Sequence, residues 1–299
     1  MSELPGRPAA ALCWALLPLA VLAHITLAVL AVAEFAAMGW PLPTWFDTGA
    51  VILVLATAAA GLAASTAVAV RAAAGSRALR ALIRAARRPV PIFMRNEGAG
   101  LGCATRLDVV AGDEAFAITY GLIRPRILVS TGLAATLAPA EIRAVLAHER
   151  EHLRHRDPLR LLAARLVAAW GCYLPAAGWL ARRAALRHEL AADRAAAGSA
   201  GRGVLAAALL KLAAMPACPA IAAAGSAGDE RRSLEARITQ LERGRPLRQR
   251  LAVSRLLASA ATLAVLAAAS LCCAAMSQVL PGGCCEPVLR RTGDGGRLG

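Results

Sequence analysis

Two histidines and an acid carry the most specific chemical signal in this chain. His148, Glu149 and His152 stand in the run His-Glu-Arg-Glu-His, an H-E-x-x-H spacing. On a helix, positions i and i+4 lie one above the other, so both imidazoles can grip one metal ion. Glu149 then sits beside them, where a base is needed to take a proton from water at the metal. The preceding run, Ala138 to Ala147, has the chemistry of a helix start: Pro139 in the first turn, Glu141 near the positive end, then apolar spacing. Of the five histidines, His148, His152, His155 and His188 fall in one short region, and only His24 lies elsewhere.

A catalytic zinc takes three side chains and keeps one position open. The third candidate is Glu189, in Arg187-His188-Glu189-Leu190-Ala191-Ala192-Asp193. An acid alone on a helix is usually an exposed surface residue. Downstream of an H-E-x-x-H it becomes the better ligand reading. Asp193 lies one turn beyond Glu189 and can orient a histidine ring from behind. Asp157 either does the same or caps the end of the metal helix.

These residues resemble the integral-membrane zinc metallopeptidases of the BlaR/MecR antirepressor type. They are similar, more distantly, to the HtpX and CaaX-prenyl-protease group. The stretch Tyr120 to Leu133 resembles the strand that precedes the metal helix in that family. The resemblance covers roughly residues 90 to 275. It implies a zinc endopeptidase with His148, His152 and Glu189 as ligands and Glu149 as base. It also implies a protein substrate such as a cytoplasmic transcriptional repressor. The relatives' outer sensor domain has no counterpart here, which leaves antibiotic sensing without support.

Composition points to a bilayer. The chain has 299 residues, 58% of them hydrophobic, too apolar for an ordinary soluble domain. Net charge is +15, almost all arginine, with Lys211 the sole lysine. Aromatics make up only 4%, and no nucleic-acid-binding signature occurs, so direct nucleic-acid binding is not expected. The arginines instead cluster beside apolar runs, as on an anionic membrane face. Eight cysteines without a C-x-x-C pair do not make a disulfide framework; adjacent Cys284 and Cys285 have no assigned role.

Three uncharged apolar runs, 11–33, 49–70 and 256–276, are long enough to span a bilayer. The first also carries a signal-peptidase-like Ala31-Val32-Ala33. The loop 34–48 lacks Lys and Arg, whereas 71–88 is dense in Arg and reads as an amphipathic helix on lipid. That asymmetry predicts a multi-pass plasma-membrane protein with its metal domain in the cytoplasm. Short β-rich runs at 90–94, 106–110, 115–119 and 126–130 predict a small antiparallel sheet, its last strand either an edge open to a substrate strand or an edge capped by protein. Segment 159–181 is apolar but broken by Gly171, Pro175 and Gly178. Since His152 and Glu189 must meet one ion, it cannot cross once. It is predicted to be a buried or re-entrant helical hairpin.

The resulting expectation is an α+β membrane protein with about three transmembrane helices and a helical H-E-x-x-H zincin domain. Residues 1–75 hold two spans and a short outer loop, 76–250 the metallopeptidase domain, 251–276 the last span, and 277–299 a disordered tail. No residue stands out as a donor for the oxyanion; Arg124, Arg126 and His155 are candidates by proximity in the sequence. Rival readings are membrane-protein quality control and a non-catalytic scaffold with structural zinc.

Overall fold

The computed structural model describes residues 45–215, 227–244 and 252–279, and scattered helical residues between 21 and 32. The expected first span, 11–33, and the expected tail therefore lie mostly outside the described residues. The chain is mostly helical with one small sheet.

α1 runs unbroken from Trp45 to Ala86, 42 residues. The predicted span 49–70 and the arginine-rich 71–88 are thus one helix rather than two elements. Its length is about 63 Å at 1.5 Å per residue, about twice a bilayer's hydrocarbon core. Val51–Ala86 is long and apolar enough to cross a membrane, yet only 11% of its most apolar window is buried. A soluble core helix would hide that surface; here Ile52, Leu53, Leu62 and Val70 face outward. Among the described residues this is the one helix long and apolar enough to cross a membrane. α9, Val253–Val279, covers the third expected run, and its described side chains make a shorter apolar helix, Val253–Ala269. The count of three spans is not confirmed.

The sheet contains β1 (Arg87–Arg88), β2 (Leu107–Val110), β3 (Ala117–Tyr120) and β4 (Arg126–Ser130), in the order β1-β2-β4-β3. It is mixed, not antiparallel, because β2 and β4 run parallel. After β2 the chain passes over β4 through the loop at Gly112, held by Gly132 N donating to Gly112 O at 2.7 Å, and returns as β3 on the far side. β4 is therefore paired on both sides and is no edge; β1 and β3 are. The expected strand at 90–94 does not form. Pro89 and Pro91 lack ladder donors, and Pro91 instead precedes α2, Ile92–Gly100. On one sheet face Asp108 is buried, receiving Arg87 Nη2 (3.0 Å), Tyr120 Oη (2.6 Å) and Arg126 Nε. Tyr120 is pushed up to about 12 by burial and by the Asp108 carboxylate it donates to.

The short α3, Thr131–Thr136, capped by the Ser130 hydroxyl, leads to α4, Pro139–His155. The Ala138 N–H donates to Glu141 Oε2 at 2.8 Å, closing the start of α4. The same oxygen receives Lys211 Nζ at 2.8 Å, which ties on α7, Arg202–Ala213. Ile142, Val145 and Leu146 of α4 join Leu107, Val109, Ile127 and Val129 of the sheet in one core.

α4 ends at Arg156, whose φ of 52° is left-handed, and the chain turns at once into α5, Asp157–Trp170. A break at Gly171–Leu174 follows, and α6 then runs Pro175–Ala200. The expected hairpin is thus two helices, and its second arm continues unbroken into the Glu189 segment. α5 lies along α1. A Cβ at Gly61 would come within 2.6 Å of Trp170 O, and Ser65 Oγ donates to Leu166 O at 3.3 Å. α9 closes the other side, Ala176 N donating to Ser259 Oγ at 2.9 Å.

Candidate metal centre

Four helices and a strand converge on one point. α4 supplies His148, Glu149 and His152 from a single face, all three buried. α6 supplies Glu189 and, one turn on, Asp193. The left-handed turn at Arg156 starts α5 so that Asp157 folds back on His152. One ligand atom each from His148, His152 and Glu189 lies within 4.8 Å of the others. The residues that the motif spacing singled out are therefore brought together from two helices.

The rings are held from behind. His152 Nδ1 is 2.7 Å from Asp157 Oδ2. His148 Nδ1 is 3.0 Å from Asp193 Oδ1, without the alignment of a full hydrogen bond. With each Nδ1 turned to a carboxylate, both Nε2 atoms face inward, 3.0 Å apart, and each is 3.5 Å from a Glu189 oxygen. Two neutral imidazole acceptors at this separation repel unless a cation or proton lies between them. A tetrahedral ion with bonds near 2.0–2.1 Å holds its ligand atoms about 3.3 Å apart. The donor set, two imidazole nitrogens and a carboxylate oxygen, suits zinc in charge and hardness. These residues fit a metal ion.

The electrostatics agree. Burial presses the His148 imidazole toward neutrality, but Asp193 and Glu189 outweigh it and hold its pKa up at about 9. Burial likewise pushes the Glu189 and Asp193 carboxyls up, while His148 and Arg237 bring both below the usual carboxylate range. Asp157 is lowered by His152 and by His188, whose Nδ1 lies 2.8 Å from Asp157 Oδ1. Such concentrated charge at one buried spot is what a dication resolves.

Two residues at this site were missed in the sequence. Thr119, on edge strand β3, has its hydroxyl 2.8 Å from Glu149 Oε2 and 2.9 Å from Glu149 O, donating its one proton to either. Arg237, on α8 (Ala227–Arg243), reaches Asp193 through Nε and Nη2, both at 2.7 Å, and Glu189 through Nη1 at 3.1 Å. Neither carries a motif; the only signal for Arg237 was its place on the same face as Leu234, Ile238 and Leu241. The suggested oxyanion donors are not here. Arg126 is engaged by Asp108, His155 pairs with Glu151 at 3.2 Å, and Arg124 lies on the exposed β3–β4 turn.

Comparison with known proteins points the same way. The family model described as BlaR1 peptidase M56 matches residues 114–241, an interval that holds every site residue named above. The chain is also similar to a protease HtpX homolog of Thermoplasma acidophilum, 49% identical over 54 residues. That match covers 18% of this chain and 17% of the relative's length. Both findings support an M56-type membrane metallopeptidase, the class that the motifs resembled.

Proposed function

We propose that this chain is a membrane-embedded zinc endopeptidase whose active site faces the cytoplasm. The observation that carries the reading is the His148–His152–Glu189 cluster with Glu149 beside it and a carboxylate behind each ring. His148, His152 and Glu189 hold the ion, Asp157 and Asp193 orient the rings, and Glu149 is the base. Zinc bound there supplies Lewis-acid polarisation of a scissile carbonyl and makes water more acidic. Glu149 accepts the proton of the attacking water as its oxygen bonds to the carbonyl carbon. It passes that proton to the departing amine as the C–N bond breaks. Thr119, holding one Glu149 oxygen, leaves the other for this work.

The substrate proposed first is a regulatory protein such as a cytoplasmic transcriptional repressor. One observation favours a second reading, turnover of membrane proteins. Asp157, which touches His152, lies on the same helix as Leu166, which meets Ser65 within the apolar half of α1. The separation along α5 is about 14 Å, which supports a site close beneath the bilayer. A non-catalytic scaffold would need a fourth protein ligand in place of water; the cluster among the described residues has three.

The test is Glu149→Gln in the full chain purified in detergent. Because the base is not a ligand, the variant keeps about one zinc per chain and loses peptide cleavage by at least about a hundredfold. Full activity in that variant sinks the enzyme reading. Proteomics of cytosol and membrane fractions, active chain against Glu149→Gln, then separates the two substrate classes.

A further inference from the structure

We propose that Arg237 is a positioning residue of the metal centre, setting the orientation of Glu189 and Asp193 through one guanidinium. The proposal rests on the zinc reading above, but its test does not depend on turnover.

α8 presents Leu234, Ile238 and Leu241 to the core, and Arg237 lies in the middle of that face. Its side chain is only 15% exposed. Taking a guanidinium out of water is strongly unfavourable unless it is fully paired. An arginine with only a structural duty on an amphipathic helix would point to solvent. This one is turned inward, onto two carboxylates one helical turn apart on α6. The fork geometry is what a guanidinium alone provides: Nε and Nη2 meet the two Asp193 oxygens, and Nη1 meets Glu189 Oε2. The carboxylate so held keeps both oxygens toward the metal position, Oε1 3.5 Å from His152 Nε2 and Oε2 3.5 Å from His148 Nε2. Asp193 is wholly buried, and without its partner two like charges would face each other beside His148. The carboxylates would then swing apart or take up protons, and the ligand set would lose its shape.

A second polar hook holds α8 in place independently. Gln240 Nε2 donates to Leu190 O at 2.9 Å, and Arg194 Nη1 donates to Gln240 Oε1 at 3.1 Å. Loss of Arg237 therefore need not undock the helix.

The experiment measures zinc affinity of the full chain in detergent by competition with a chromophoric chelator. Arg237→Gln and Arg237→Lys are each expected to bind zinc roughly 10- to 100-fold more weakly, since lysine keeps the charge but not the fork. Gln240→Ala, which removes the other polar tie between the two helices but leaves the Arg237 fork in place, is expected to keep wild-type affinity. With zinc saturating, cleavage by Arg237→Lys falls in kcat and not in KM. Wild-type affinity in Arg237→Lys overturns the proposal, because charge alone would then suffice. So does unchanged or tighter binding in Arg237→Gln, or an equal loss in Gln240→Ala. A wild-type chain that binds zinc but cleaves nothing removes the peptidase reading alone, and one that binds no zinc removes both.

Discussion

The role proposed for Glu149 needs its carboxylate in one rotamer, and a hydroxyl from a different element is placed to hold it. Thr119 sits on β3, thirty residues upstream, and reaches Oε2 at 2.8 Å. A hydrogen bond to a charged group contributes about 1.5–3 kcal/mol, enough to decide a rotamer. Thr119→Val keeps the shape and the β-branching but removes the donor. It is expected to lower kcat roughly tenfold with zinc content and KM unchanged, and Thr119→Ser to restore it. Steady-state kinetics beside metal analysis reads this out, and wild-type kcat in Thr119→Val would free Glu149 from its partner. The residue scale also explains the paired carboxylates. In the proposed centre, Asp157 and Asp193 each lie behind one ring, which turns Nε2, not Nδ1, toward the metal position.

At the scale of elements, the site depends on how two helices are brought alongside each other. α4 and α6 must face one another across a separation that single-residue patterns do not encode. The hairpin of α5 and α6 does this, and α1 supports it through close contact at a small residue. Gly61 permits Trp170 O to sit where a Cβ would be, 2.6 Å away. Gly61→Val is expected to force α5 off α1 and to cost roughly 1–3 kcal/mol, read as a lower Tm in detergent. An unchanged Tm would mean that α5 does not rely on this contact. At the sheet, the proline pair at 89 and 91 explains why the first expected strand is a helix start. The return of β3 on the outside of β4 explains why the free edge lies next to Glu149.

For the whole molecule the deciding question is sidedness. α1 leaves the apolar run carrying Arg71, Arg77, Arg80 and Arg84, all exposed, and leads straight into the sheet and metal domain. Arginine beside a span is held on the cytoplasmic face by insertion bias and by anionic lipid, so the metal domain is expected inside. Cys103 cannot report this by thiol labelling, as it is buried and would stay silent on either side. Arg124, exposed at the tip of the β3–β4 turn, is the better position. In a cysteine-free background, Arg124→Cys is expected to react with a membrane-impermeant thiol reagent only after cells are opened. Reaction in intact cells would put the active site outside and exclude a cytoplasmic repressor as substrate.

The sequence by itself determined which residues could form the centre and what chemistry they would suit. H-E-x-x-H is a local pattern: one helix and a period of 3.6 place His148, Glu149 and His152 without any knowledge of the fold. Glu189 and Asp193 were legible for the same reason, being one turn apart on a second helix. The broken apolar segment 159–181 was legible only as a constraint, that both of its flanks reach one site; the structure makes it two helices, the second running on through Glu189. What the sequence left open was everything that depends on approach between distant segments. Arg237 looks like any arginine of an amphipathic helix until α8 is laid on α6. Thr119 looks like any strand threonine until β3 takes the outer edge. The sheet's mixed order follows from which strand the returning chain pairs with, and alternation along each strand is the same in a parallel or an antiparallel ladder. Side-chain periodicity reports which face is buried; only tertiary structure decides what that face is buried against.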